Sequence, residues 1–171
     1  MDTPKPNIYK LNTGGAHSST LTTDGIGGLI RNHNGDWIVG FSGNIPCQSS
    51  ISAELYALIQ GLRIAIQQNL SPLHVEVDAK EVITMLDCDN IIYANLLFDC
   101  RHLLLKLRNP RVHHAYREQS RVADQLARSI LEGNFTMRVF DAPPLFVRPI
   151  SEADKQGQTI MRSFPSTPYA L

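Results

Sequence analysis

The chain has 171 residues, 43% of them apolar, which is ordinary for one globular domain with a hydrophobic core. Lysine plus arginine equals aspartate plus glutamate at 16 each, so net charge gives no global attraction to nucleic acid, membranes or acidic substrates. No apolar run could span a bilayer, and residues 1–6 lack a signal-peptide pattern. We therefore expect an intracellular protein, nuclear or cytoplasmic, that does not associate with membranes.

The three cysteines, Cys47, Cys88 and Cys100, are odd in number and show no Cys-x-x-Cys spacing. This argues against a disulfide framework and against a zinc site. We interpret them as small reduced residues that take part in packing.

The first part of the chain predicts three strands. Residues 7–12 alternate polar and apolar side chains, and residues 13–15 are predicted to end this strand. Residues 25–31 and 36–43 flank an Asn-Gly pair and predict a hairpin. The glycines at 25, 27 and 28 match neither a Walker motif nor a dinucleotide fingerprint, so close backbone packing is favoured over a phosphate loop.

The stretch from residue 49 to residue 78 organises the rest of the chain. Residues 49–69 predict an amphipathic helix and residues 73–78 a short strand. Glu54 lies one turn before Leu58, on the apolar face of the helix, while Asp78 closes the strand. Two carboxylates thus point toward one place. The alternatives are that Glu54 is a helix-terminus charge and that Asp78 caps the helix that follows.

The remaining pattern predicts helices over 79–86, 91–107 and 118–131 and a fifth strand over 111–115. Beyond residue 142 the chain is rich in proline without periodicity, which predicts a tail whose first part docks and whose last part is disordered. Between residues 101 and 128 there are seven basic residues against two acidic ones. This window is either a surface for a polyanion or a solvated helix face.

Five segments together carry a resemblance to a known family. They are residues 10–16 (KLNTGGA), 25–31 (GIGGLIR), 53–55 (AEL), 75–78 (VEVD) and 114–124 (HAYREQSRVAD), with a weaker echo at 140–147. The chain resembles the ribonuclease H-like domains, most closely the plant type 1 group that accompanies reverse transcriptases in retroelements. The resemblance implies an α/β fold with a mixed five-stranded sheet, three antiparallel strands then two parallel ones, and helices on both faces. We expect a lead-in over 1–9, the domain over 10–132 and the tail over 133–171.

The resemblance also implies hydrolysis of the RNA strand of an RNA/DNA hybrid by two cations, Mg²⁺ or Mn²⁺. Oxygen ligands suit such ions, and two metals can activate water and stabilise the leaving oxygen together. The family's carboxylates map to Glu54, Asp78 and Asp124, and a proton-shuttling histidine maps to His114. His113 lies on the other strand face and is expected to be a neighbour only. The predicted nucleic-acid-binding residues are Lys106, Arg111, Arg117, Ser120 and Arg121.

One position departs from the family pattern. Gly14 stands where the family has its first, metal-bridging aspartate, and glycine offers no ligand. Asn12, Thr13 and His17 cannot bridge two cations, and Asp24 lies too far along the chain to be assumed a substitute. Weak or absent cleavage is therefore expected.

Three functions remain open from the sequence. One is a hybrid ribonuclease with impaired activity, as a monomer or as a fragment of a larger retroelement-type polyprotein. The second is an inactive nucleic-acid-binding pseudoenzyme or interaction domain. The third, a sugar-kinase-like or actin-like ATPase, requires a second lobe for which the chain is too short.

Overall fold

The computed structural model describes residues 7–46, 49–116, 120–131 and 137–160, with side chains described as far as residue 156. The predicted elements up to residue 131 are all present, most with ends a few residues from those predicted. In chain order the elements are β1 Tyr9–Ala16, β2 Thr23–Arg31, β3 Trp37–Pro46, α1 Ser50–Gln67, β4 Leu73–Val77, α2 Lys80–Leu86, α3 Ala94–Lys106, β5 Val112–His114, α4 Arg121–Arg128, β6 Met137–Phe140 and α5 Arg148–Ile160.

The strands form one mixed sheet in the order β5-β4-β1-β2-β3-β6. Strands β1, β2 and β3 are antiparallel, while β4 and β5 run parallel to β1, as predicted. The predicted count of five strands is wrong by one within the described residues, because β6 pairs antiparallel with β3. Its first three side chains are exposed, so β6 lacks the buried-exposed alternation by which a strand is recognised.

The first strand does not end at residue 12 as predicted. It continues through Gly14 and Gly15 to Ala16, pairing with β2 throughout. Gly15 serves close packing, because a Cβ there would lie 2.7 Å from the backbone of Ala53 on α1. The same holds on β2, where a Cβ at Gly27 would lie 2.4 Å from the backbone nitrogen of Ala127. The sequence favoured close backbone packing of the β2 glycines over a phosphate loop, and this prediction is confirmed.

The hairpin between β2 and β3 has the predicted Asn-Gly turn. Gly35 adopts a φ of 81°, which favours glycine, and Asn32 donates its backbone N–H to the Asp36 carbonyl at 3.0 Å. The turn brings the last residue of β2 back beside the first residue of β3.

Helices cover both faces of the sheet, as predicted, and each face has its own core. The first core lies between the sheet and helices α1 and α3, and includes Leu11, Leu58 and Leu104. The second lies under α4 and consists of Leu29, Val122, Ala123, Leu126 and Val147. Helix α1 begins at the N-cap Ser49, which forms a capping box with Ser52.

Part of the predicted tail is ordered structure. Val147 is fully buried in the second core, and Trp37 donates from Nε1 to the Phe140 carbonyl at 3.0 Å. Helix α5 is held by Asp154, which lies 3.8 Å from Arg31, and by an ion pair between Lys155 and Asp36. Helix α5 thus gives regular structure to part of a segment whose sequence shows no periodicity. The domain boundaries stay a prediction.

Two smaller expectations can be checked. Cys100 is buried and Cys88 is exposed, and both are free, so only Cys100 is the packing residue that was expected. Cys47 lies outside the described residues. Within the described part of the chain every helix is too short or too polar to cross a membrane.

Candidate nucleic-acid and metal site

The site lies where the carboxyl ends of β1 and β4 meet. The two strands are parallel neighbours with Thr13 opposite Val77, so the next residues, Gly14 and Asp78, lie side by side. Helix α1 starts at the same edge, because β3 ends beside the start of β2 and β2 starts beside the end of β1. We call this edge the carboxylate corner, formed by Gly14, Glu54, Asp78 and Asp124.

Glu54 is an acid of the corner whose environment raises its pKa. It is half-buried, and its Oε2 is buried with no hydrogen-bond partner in the structure. Burial raises the pKa of Glu54 to about 7, with further increases from the charges of Asp78, Asp124 and Glu81 and an opposing contribution from the Gly15 backbone. A buried carboxylate surrounded by acids, with an oxygen left over, has the chemistry of a cation ligand.

Gly14 faces helix α4. A Cβ on it would lie 3.5 Å from the backbone nitrogen of Asp124 and 3.6 Å from the carbonyl carbon of Ala123, which is ordinary van der Waals contact. Position 14 therefore has room for a Cβ atom, unlike Gly15. The corner has no carboxylate at this position.

Asp124 lies on α4, as predicted, and its carboxylate is engaged. It accepts a hydrogen bond from Arg128 Nε at 2.9 Å, one helical turn later. Both side chains are largely exposed, so this pair is weak and open to exchange. Arg128 is not among the predicted site residues, although the i,i+4 spacing of an acid and a base on a helix indicates such a pair.

His114 approaches the corner from β5. Its Nε2 donates to the Asp78 carbonyl oxygen at 3.1 Å, and the ring meets Tyr116 edge-on at 5.5 Å. The backbone N–H of Ala115 donates to the Val77 carbonyl at 2.8 Å. These two hydrogen bonds hold β5 against the end of β4. Because Nε2 donates to a carbonyl oxygen, it carries the ring proton in the neutral imidazole, and Nδ1 is then the unprotonated nitrogen.

The corner is not a ready-made metal centre. Among the described residues, no three His, Cys, Asp or Glu side chains come together closely enough to hold a metal ion. Two observations account for this: position 14 supplies no carboxylate, and Asp124 is turned to Arg128. Asp24 offers no substitute, since it is fully buried and paired with His17 Nδ1 at 2.8 Å.

The predicted nucleic-acid-binding residues divide into separate groups. Arg121 is exposed at the start of α4, close in sequence to Asp124, whereas Ser120 is only 3% exposed. Lys106 and Arg111 are exposed, but they precede β5, which runs parallel to β4. They therefore lie at the end of the sheet opposite the carboxylates. Arg117 lies outside the described residues.

One basic residue of the window has a structural role instead. Arg101 donates to the carbonyl oxygens of Leu86, Met85 and Cys88 at 3.0, 3.1 and 2.6 Å. It ties α3 to the end of α2, so its guanidinium is not a free phosphate contact. Net charge over a window could not show this, because the contact crosses between two helices.

Comparison with known proteins decides the family. A family model described as reverse transcriptase-like matches residues 12–130. The chain belongs to this family. A protein of Arabidopsis thaliana, named a putative ribonuclease H protein, is 31% identical over 153 residues, which are 88% of this chain and 25% of that protein. The chain therefore spans about a quarter of the length of this curated relative.

Solved structures agree on the fold. The RNase H1 of the archaeon Halobacterium salinarum matches with a TM-score of 0.68 and 20% identity, covering 73% of this chain and 98% of that one. LC11-RNase H1 in complex with an RNA/DNA hybrid matches with a TM-score of 0.66 and 19% identity, covering 72% and 96%. The ribonuclease H-like fold predicted from the sequence is confirmed.

Proposed function

We propose that this domain binds RNA/DNA hybrids at the carboxylate corner and cleaves them weakly or not at all. One observation carries the proposal. Gly14 lies beside Asp78 and faces Asp124 on α4, where a Cβ would make ordinary contacts, but it supplies no carboxylate. The domain keeps the framework of a hydrolase and lacks one of its acids.

Nucleic acid is the ligand that the relatives favour. LC11-RNase H1 and a foamy viral protease-reverse transcriptase have been solved with RNA/DNA hybrids. On this chain the exposed Arg121, seven residues or about two helical turns before the exposed Arg128, offers a cationic contact next to the corner. Arginine suits phosphate because it can donate two parallel hydrogen bonds. We propose further that the domain works within a larger protein, since it spans only a quarter of its curated relative.

The acids of the corner would hold a divalent cation, Mg²⁺ or Mn²⁺. Glu54 is the best placed, because its buried Oε2 has no partner, and Asp78 lies next along the edge. When bound, such ions supply charge stabilisation and an activated water. His114 holds the Asp78 backbone through Nε2 and keeps Nδ1 available to move a proton.

The missing acid sets the size of the defect. If a carboxylate at position 14 contributes about 4 kcal/mol to stabilising the transition state, its absence slows cleavage about a thousandfold. Binding need not weaken in proportion, because phosphate contacts contribute to affinity whether or not the bond is cleaved. Binding with little turnover is the expected combination.

Two assays test this function. Binding of a labelled hybrid is measured from low to high salt, and cleavage is measured with Mg²⁺ or Mn²⁺ beside an Asp78→Asn control. We expect affinity that falls steeply with salt and product barely above the control. Absence of binding, or affinity independent of salt, would rule out the proposal. Cleavage at the rate of an intact ribonuclease H would show that the acid at position 14 is dispensable.

An inactive pseudoenzyme is the second candidate, favoured by the ion pair that engages Asp124 with Arg128. Binding without any product above the Asp78→Asn control would indicate it. Slow cleavage that Asp78→Asn abolishes would favour the impaired enzyme.

A further inference from the structure

One side of the β5–β4–β1 half of the sheet carries a second group of polar side chains. Helix α4 packs on β1, β2 and β3, whereas β4 and β5 contact helices α1 and α2 on the other side. Among the described residues, neither α4 nor α5 packs comparably on β4 or β5. In the described part of the chain, the α4 side of these two strands is therefore a sheet surface on which no helix packs comparably, and it leads to Asp78.

Strand alternation decides which residues line this surface. His74 and Glu76 lie on the same side of β4 as Asp78, because side chains two residues apart share a face. Lys10 pairs with His74 and Asn12 with Glu76 on the neighbouring β1, and His113 pairs with Glu76 on β5. We use the name sheet-face cluster for Lys10, Asn12, His74, Glu76 and His113.

Two imidazole rings stack at the edge of the cluster. The His74 and His113 rings lie 4.5 Å apart between centroids with 15° between their planes. The His74 side chain is 38% exposed and His113 is exposed, so solvent reaches the rings. The stack occupies one face of each ring, so the exposed His113 ring has its other face as a surface on which a nucleobase can stack.

The residues beneath hold the rings in place. Glu76 is only 7% exposed, and its Oε1 lies 3.2 Å from His74 Nε2. The same carboxylate accepts a hydrogen bond from Asn12 at 2.9 Å and pairs with Lys10 at 2.8 Å. A buried, fully engaged carboxylate fixes the orientation of His74, and the stack fixes His113. The surface is pre-organised, which lowers the entropy cost of binding.

We infer that the sheet-face cluster binds unpaired bases of a single strand that continues from nucleic acid held at the carboxylate corner. His113 provides the stacking surface with His74 behind it, and the Lys10 amine, which pairs with Glu76, lies on the neighbouring strand as a contact for a phosphate. His74 is four residues from Asp78 along β4, or about 13 Å at the rise of a strand, so one nucleic acid can reach both. This inference rests on the proposed function and extends it to a single-stranded segment.

The alternative role of the ring pair is to stabilise the sheet edge, as cross-strand aromatic pairs do. The experiment separates the two roles. Binding is measured for blunt hybrids, for hybrids with single-stranded extensions at either end, and for a single strand alone. The proteins are the wild type, His113→Ala, His113→Phe and His102→Ala. His102 is a matched control, because its ring is also exposed and stacked, on Phe98 of α3.

We expect the single-stranded extension to increase the affinity of the wild type for the hybrid. His113→Ala should lower the affinity for the extended hybrid about five- to hundredfold. His113→Phe should retain the gain, since any flat ring can stack, and His102→Ala should not alter it. Thermal unfolding of each variant checks that the fold is intact.

Each outcome decides the inference. An extension that gives no gain, or a gain that survives in His113→Ala, overturns it while leaving hybrid binding untouched. If the blunt hybrid does not bind, the proposed function fails, and binding of the isolated single strand then tests the sheet-face cluster. Single-strand binding that depends on His113 supports the cluster as a binding surface, whereas no binding rejects both proposals. Loss of affinity in every variant, including His102→Ala, would also contradict a specific surface.

Discussion

Replacing Glu54 by glutamine should stabilise the protein in a way that depends on pH. Burial and neighbouring acids raise the pKa of Glu54 from 4.5 to about 7. An acid whose pKa is higher in the folded state binds protons more tightly there than in the unfolded state. Its contribution to stability is fully present below its unfolded pKa and is lost as the pH rises through its folded pKa. The wild type should therefore lose stability between pH 4.5 and pH 7.

The size of the effect follows from the pKa shift. The rise in the pKa of Glu54 from 4.5 to about 7 corresponds to roughly 3 kcal/mol in the free energy of unfolding, at about 1.36 kcal/mol for each tenfold change in proton affinity. Glutamine has nearly the same shape and no charge, so Glu54→Gln should exceed the wild type by up to that amount at pH 8 and match it near pH 4. Other ionisable groups titrate in both proteins and largely cancel in the difference.

The assay is urea unfolding of both proteins at several pH values, with Glu152→Gln as a control. Glu152 is exposed on α5, so its replacement should give no comparable gain. A Glu54→Gln variant that is less stable than the wild type at pH 8, or whose advantage does not change with pH, would refute the description of Glu54 as a buried, unpaired acid.

Four further predictions concern the site and its support. Added Mg²⁺ should raise the melting temperature of the wild type more than that of Glu54→Gln, and equal shifts would place the cation elsewhere. Gly15→Ala should cost roughly 1–3 kcal/mol in urea unfolding because its Cβ would overlap α1, whereas Gly14→Ala should be tolerated; equal costs would contradict the packing. Val147→Ala should cost about 2 kcal/mol, and no change would detach the C-terminal segment from the second core. Arg121→Gln should reduce the salt dependence of hybrid binding by about one unit of log-log slope, and an unchanged slope would remove Arg121 from the interface.

The sequence predicts the fold well where the signals are local. The Asn-Gly turn, the amphipathic α1 and the strand that ends at Asp78 each have a pattern set by backbone geometry. The resemblance to the ribonuclease H-like domains then implies three antiparallel strands followed by two parallel ones, which local patterns cannot give. Hence the mixed sheet and the placement of Glu54, Asp78 and His114 at one edge could be expected before the structure.

The failures have physical reasons. Gly14 and Gly15 look like a break, but both pair with β2 as part of β1, and α1 packs closely on Gly15. Strand β6 and helix α5 are stabilised by contacts with β3 and Arg31, which lie far away in sequence. Arg101 and Arg128 belong to a basic window, yet one bridges two helices and the other pairs with Asp124. Charge counts along a chain do not show such partners.

The most direct measurement is the rate of metal-dependent hybrid cleavage by Gly14→Asp, with Gly14→Asn as the matched uncharged control. A Cβ at residue 14 would make contacts of 3.5 Å or more, and thermal unfolding checks that both variants fold. We predict that Gly14→Asp cleaves about a thousandfold faster than the wild type and that Gly14→Asn does not. A folded Gly14→Asp protein that cleaves no faster would contradict the claim that the corner lacks only this acid.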